Sequence, residues 1–240
     1  MTFASVAARQ NPTTPFVICD DGRSFTHGEF WKLAGRLAHA LVGAGAQKGD
    51  RIAVRVEKSV EAIALFYACV RAGLVFLPLN TAYTSSEISY FLGDARPSLF
   101  ITSPGKPSVS ECKQLTLDDK GGGALMQTAQ TTTAFTDAPS DAETLCAILY
   151  TSGTTGKSKG AMLTQGNLFS NAEALVQTWR FTANDTLIHA LPVYHTHGLF
   201  VATNTCFLSG AKMLFRRKFD ASDVLGIIPQ ATVLMGVPTF

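Results

Sequence analysis

Tyr150 to Gly160 reads Tyr-Thr-Ser-Gly-Thr-Thr-Gly-Lys-Ser-Lys-Gly, a run in which residue types and spacing both suit the holding of phosphate. Glycines at 153, 156 and 160 allow backbone conformations that other residues resist, so that successive N–H groups can turn toward one anion. The hydroxyls of Thr151, Ser152, Thr154, Thr155 and Ser158 add donors, and Lys157 and Lys159 bring positive charge to where a leaving pyrophosphate would need it. A plain Gly/Ser/Thr linker is the alternative. The apolar run Leu145–Tyr150 just before the loop argues against a linker, which needs no buried strand.

A second constellation is His195-Thr196-His197. In an extended segment residues two apart face the same way, so both imidazoles could share a metal. No third ligand with a recognised spacing is evident, since Asp185 and Asp220 belong to other elements, so no metal site is expected. A pocket role, with His195 holding a carboxylate toward its reaction partner, stands beside a purely structural one, and His195 is the stronger candidate of the two.

These residues need a scaffold, and the chain alternates strand and helix to supply one. Expected strands are Phe16–Cys19, Arg51–Val56, Val75–Leu79, Leu99–Thr102, Ala161–Leu163, Thr186–Ala190, Lys212–Phe215 and Thr232–Val237. Thr26 with Glu29 and Thr84 with Glu87 form capping boxes, Ser59 opens a helix that is apolar nearly all round, and glycines end the helices. Further helical patterns follow Thr164 and cover 198–208 and 221–228. Short connections between such elements imply an α/β fold with a parallel sheet. Residues 103–143, rich in Gly, Ser, Thr and Pro, read as an irregular excursion with a candidate short element over Ser110–Leu117.

Composition excludes several classes. Of the 240 residues 46% are apolar and 16% charged, which suits a buried globular chain, and the net charge of +2 comes with no basic tract for nucleic acid. The apolar stretch Ala62–Leu79 is broken by Arg71 and Gly73, so no membrane span is expected. Five scattered cysteines without C-x-x-C spacing read as reduced core thiols, and Met1–Pro12 lacks the pattern of a secretory signal, so a cytoplasmic location is expected. Nothing in the pattern bears on oligomeric state.

The phosphate loop is not a Walker A loop. Gly156-Lys157-Ser158 supplies the end of that motif, but the position five before Gly156 is Thr151, and a strand rather than a helix is expected to follow. A P-loop phosphotransferase is therefore disfavoured. Instead, Tyr150–Gly160 resembles the phosphate-loop signature of the adenylate-forming (AMP-binding) superfamily, which contains the acyl-CoA synthetases. Leu191-Pro192-Val193-Tyr194-His195 resembles that superfamily's acyl-pocket motif, and Gly236-Val237-Pro238 the strand end forming another wall of the pocket. Glu57–Glu61, Leu77–Tyr83 and Tyr194–Phe200 are most similar to the malonyl-CoA synthetases.

The resemblance implies stacked, mostly parallel sheets with flanking helices, as in the N-terminal domain of these enzymes. It treats 1–240 as part of that domain, with 1–102 a first α/β part, 103–143 the excursion and 144–240 the part carrying the loop and pocket segments. It implies ATP with Mg2+, CoA as co-substrate and a small carboxylate as partners. Thr151, Ser152, Gly153, Thr154, Thr155, Gly156, Lys157 and Gly160 would bind ATP, and Lys157, Lys159 and His195 would serve the chemistry. His195, Gly236, Val237 and Pro238 would shape the acyl site. The superfamily's magnesium-contacting acid, ribose-binding aspartate, hinge, C-terminal lysine and, in malonyl-CoA synthetases, the selecting arginine would fall beyond Phe240. A polypeptide ending there is expected to be an ATP-binding fragment without turnover.

Overall fold

The computed structural model describes residues 2–106, 112–129, 134–151 and 158–238. The chain forms two compact units, one of residues 1–32 with 167–240 and the other of residues 33–166.

The first unit is built on a five-stranded sheet. Its strands are β1 (Pro15–Cys19), β2 (Ser24–Thr26), β9 (Thr186–His189), β10 (Lys212–Phe215) and β11 (Val233–Leu234), in the order β11-β9-β10-β1-β2. All neighbours pair in parallel except β1 with β2, which the turn at Asp20–Gly22 joins as a hairpin. The expected strand at 232–237 shrinks to two residues, and β2 is a short strand that the apolar pattern does not announce. Helix α1 (Phe3–Ala7) starts with a reciprocal cap between Thr2 and Ser5. Helix α2 (His27–Gly43) starts with the expected box, in which the Thr26 N–H donates to Glu29 at 2.9 Å and the Glu29 N–H donates to Thr26 Oγ1 at 3.1 Å.

Aromatic packing closes this unit. The Phe16 ring meets Phe30 at 4.8 Å and Phe207 at 5.8 Å, both edge-on, and Phe3 meets Phe169 in the same way at 5.8 Å. Buried among them is His27, whose ring lies 4.5 Å from Phe16 and whose two nitrogens complete no hydrogen bond. Burial lowers its pKa below the ordinary 6.5, against a smaller opposing pull from the backbone of Gly210 and Ala211.

The second unit carries a six-stranded sheet. In the order β6-β5-β3-β4-β7-β8 these are β6 (Lys113–Thr116), β5 (Leu99–Thr102), β3 (Arg51–Arg55), β4 (Val75–Pro78), β7 (Leu145–Thr151) and β8 (Lys159–Thr164). All pairs are parallel except β7 with β8. Helix α3 (Val60–Ala72) is buried at every one of its 13 positions, as its all-round apolar pattern implies. Ser59 caps its first turn and Gly73, at φ 67°, ends it in the left-handed conformation. Helix α4 (Ser85–Ala95) opens with the Thr84/Glu87 box and lays Ile88, Phe91, Leu92 and Ala95 on a cluster with Ala53, Leu77, Leu79 and Phe100.

Residues 103–143, expected to be irregular, hold more order than their composition suggests. They contain β6, within the span marked as a candidate element, and a short helix α5 (Ala124–Thr128). The segment 135–139 is tied down by Arg71 of α3. The Arg71 guanidinium pairs with Asp137 at 2.6 Å, donates to the Phe135 carbonyl at 3.0 Å and lies over the Phe135 ring, while its own carbonyl accepts from the Ala138 N–H at 2.7 Å. Gly35 leaves room for the guanidinium, since a Cβ there would lie 2.7 Å from it.

Two measurements follow from these contacts. Arg71→Ala strands Asp137 beside a buried space and should lower the stability measured by urea unfolding by about 3 kcal/mol. For His27, the unfolded chain takes up a proton below about pH 6.5 that the buried native ring resists, so stability is lost as pH falls through that value. His27→Phe should flatten that acid-side loss in melting experiments across pH 7 to about 5.

Candidate ATP and acyl site

The phosphate loop joins two antiparallel strands. The β7–β8 ladder runs from Leu145 opposite Thr164 to Thr151 opposite Lys159, so the loop leaves the sheet between a paired threonine and lysine. Thr151, Lys159 and Gly160 are exposed at its mouth. Ser152, Gly153, Thr154, Thr155, Gly156 and Lys157 lie outside the described residues. Gly160 stands opposite Tyr150, and a Cβ on it would come within 2.8 Å of Ile148 Cγ2, so glycine is required there for packing as well as for any backbone approach to phosphate.

The other candidate residues belong to the first unit, at the carboxyl end of its parallel strands, where α/β sheets commonly bind ligands. Strand β9 runs into Leu191–His195, and β11, paired to β9 with Leu234 opposite Ile188, runs into Gly236–Pro238. Both proposed pocket segments therefore leave the same edge of one sheet. His195, Gly236 and Pro238 are exposed and Val237 is half-buried.

His195 and His197 are not in an extended segment, so the premise for a shared metal fails. His195 lies in a turn, its ring edge-on to Tyr194 at 4.6 Å, and His197 begins a π-helical turn (His197–Ala202) that continues into helix α7 (Thr203–Ser209). Among the described residues no group of three or more His, Cys, Asp or Glu side chains could hold a metal ion.

The turn is fixed from below by a histidine that the sequence pattern does not single out. His189, the last residue of β9, is 1% exposed, and its Nε2 lies 2.9 Å from the Gly198 carbonyl and 3.2 Å from Thr203 Oγ1. A carbonyl only accepts, so the tautomer protonated at Nε2 satisfies this contact, and the Thr203 hydroxyl donates to the same oxygen at 3.0 Å. Gly198 itself lies so close to the Pro192 carbonyl that a Cβ would sit 2.1 Å from the oxygen. The glycine that closes the His-Thr-His-Gly run is thus a packing requirement for the loop carrying His195.

The whole chain, not only these stretches, matches a known family. Residues 4–240 fit the family described as AMP-binding enzyme. This chain is an AMP-binding enzyme family member. Among curated family members, a feruloyl-CoA synthase from an Amycolatopsis species is 31% identical over 224 residues, covering 91% of this chain and 44% of its own length. An oxalate–CoA ligase from Arabidopsis thaliana is 32% identical over 204 residues, covering 78% of this chain and 39% of its own. The crystal structure of ATP-bound MatB from Rhodopseudomonas palustris superposes with a TM-score of 0.96 at 46% identity, over 100% of this chain and 50% of that one. The chain therefore spans about half the length of the AMP-binding enzymes that it matches, and its sheets and flanking helices are those of their N-terminal domain.

Gly198→Ala must displace the Pro192 carbonyl or the π-helical turn. It should lower stability by about 3 kcal/mol, read as a fall in the thermal unfolding midpoint.

Proposed function

We propose that the full-length protein is an AMP-forming acid–thiol ligase, and that malonate is its acid. The single observation that carries this reading is the Tyr150–Gly160 loop, strung between two antiparallel strands in a chain 46% identical throughout to an ATP-bound relative. Strand β8, beginning at Lys159, supports this reading over a P-loop phosphotransferase, whose motif opens a helix at its lysine.

In the first step a carboxylate oxygen attacks the α-phosphorus of ATP, the bond to the β-phosphate oxygen breaks, and pyrophosphate leaves with the electron pair. In the second, the CoA thiol loses its proton and attacks the acyl carbonyl, and AMP leaves. The loop residues Thr151–Gly156 wrap the β- and γ-phosphates, and Lys157 and Lys159 offset the charge gathered on pyrophosphate. His195 holds the carboxylate for in-line attack, with Gly236, Val237 and Pro238 shaping the acyl pocket. Magnesium would neutralise phosphate charge in such a reaction, and the resemblance implies that the acid contacting it falls beyond Phe240. ATP and CoA as substrates suit a cytoplasmic enzyme, and among the described residues no helix is long and apolar enough to cross a membrane.

Malonate is preferred over the acids of other relatives because the runs Glu57–Glu61, Leu77–Tyr83 and Tyr194–Phe200 are together most similar to malonyl-CoA synthetases. The full-length protein should exchange labelled pyrophosphate into ATP when malonate is present. Exchange with ferulate, oxalate or a long-chain acid but not malonate would remove the choice of acid. Release of ADP rather than AMP would remove the mechanism.

A further inference from the structure

Two side-chain contacts bracket the phosphate loop, and neither is used by the chemistry above. On the outgoing arm, Tyr150 of β7 donates its phenolic O–H to the Asp94 carboxylate, and its ring lies against Phe91 with centroids 4.5 Å apart. On the returning arm, the carbonyl of Ser158, one residue before β8, accepts from the Tyr90 hydroxyl at 2.9 Å. Tyr90 and Asp94 are four residues apart on α4, hence one turn apart on one helical face. One helix thus touches the hairpin on both sides of the loop.

Docking of α4 does not require these polar contacts. Ile88, Phe91, Leu92 and Ala95 already bury the helix against the sheet, and its first turn is closed by the Thr84/Glu87 box. Tyr90 is 39% exposed, more than a ring placed for packing would be. The hairpin, by contrast, needs support. Among the described residues β8 is the last strand of the sheet, its residues 159–162 are exposed, and Gly160 offers no side chain to lean on its neighbours. β7 pairs with β4 at Ala147, so toward the loop Leu149–Thr151 have β8 alone as a strand partner among the described residues, and a two-stranded stretch is marginal without an added surface. Burial, and then the Asp94 carboxylate, push the Tyr150 phenol above the ordinary tyrosine range, so it stays protonated as a donor at working pH.

We propose that Tyr90 and Asp94 are positioning residues that fix the two arms of the phosphate hairpin relative to each other, and through Ser158 the placement of Lys159. The kinetic part rests on the ATP-using function proposed above; the structural part does not. Tyr90→Phe removes one donor and Asp94→Ala one acceptor, and both are compared with the wild type in the full-length protein.

Amide hydrogen exchange of the 145–164 segment should accelerate about tenfold in either variant, the worth of one hydrogen bond, with β3 and β4 unchanged and the thermal midpoint within about 2 °C. In carboxylate-dependent pyrophosphate exchange the KM for ATP should rise about five- to twentyfold while the KM for the carboxylate stays within about twofold. Unchanged exchange in that segment, or equal rises in both KM values, would overturn the assignment. If the wild type exchanges no pyrophosphate, the proposed function fails, and amide exchange alone decides the role of Tyr90 and Asp94.

Discussion

The switch from parallel to antiparallel pairing at the edge of the larger sheet is the constraint on which the candidate ATP site depends. Parallel neighbours need a long crossover between them, whereas antiparallel neighbours can be joined directly by a short loop. By pairing β8 against β7 in reverse, the chain returns within a few residues, and both ends of the phosphate-rich loop are set by one ladder. The same choice puts β8 last in the sheet, and among the described residues it has β7 as its one strand neighbour. Exposure of the first residues of β8, Lys159–Met162, follows from that position.

In the smaller sheet the strands stay parallel where the candidate acyl segments leave them. Their residues are held by buried polar contacts rather than by a ladder: His189 and Thr203 converge on one carbonyl, and a glycine admits another. Such contacts are direction-specific, and they leave His195 exposed while its supporting turn is fixed. The division suits a group that must meet a solvent-borne ligand without moving far to do so.

Features determined within four residues were legible in the sequence. The Thr26/Glu29 and Thr84/Glu87 boxes, the Ser59 cap and the Gly73 terminus all depend on short-range chemistry, and each stands where the pattern puts it. Legibility failed where a distant partner decides the outcome. β6 reads only as a candidate short element within Ser110–Leu117, since its residues Lys-Gln-Leu-Thr carry little apolar signal and it is β5 beside them that makes the strand. The segment 135–139 reads as irregular because its anchor, Arg71, is more than sixty positions earlier. His189 drew no notice because its partners are Gly198 and Thr203, and Tyr90 and Asp94 because a spacing of four says nothing until the hairpin above them is known. The loop chemistry itself was the easiest part to recognise, since glycines, hydroxyls and lysines crowd into a single run.

The π-helical turn at His197–Ala202 has one more residue per turn than the α-helix that follows it. Since each α-helical residue advances by about 100°, the extra one rotates the phase of everything before it relative to everything after. The packing of α7, buried at every position from Thr203 to Phe207, is thereby uncoupled from the direction in which the preceding His-Thr-His run emerges. Removing that one residue would restore a regular helix and turn the run toward a different bearing, with the anchored half unchanged. Such an offset is a means of re-aiming the loop that carries His195 without redesigning the core beneath it.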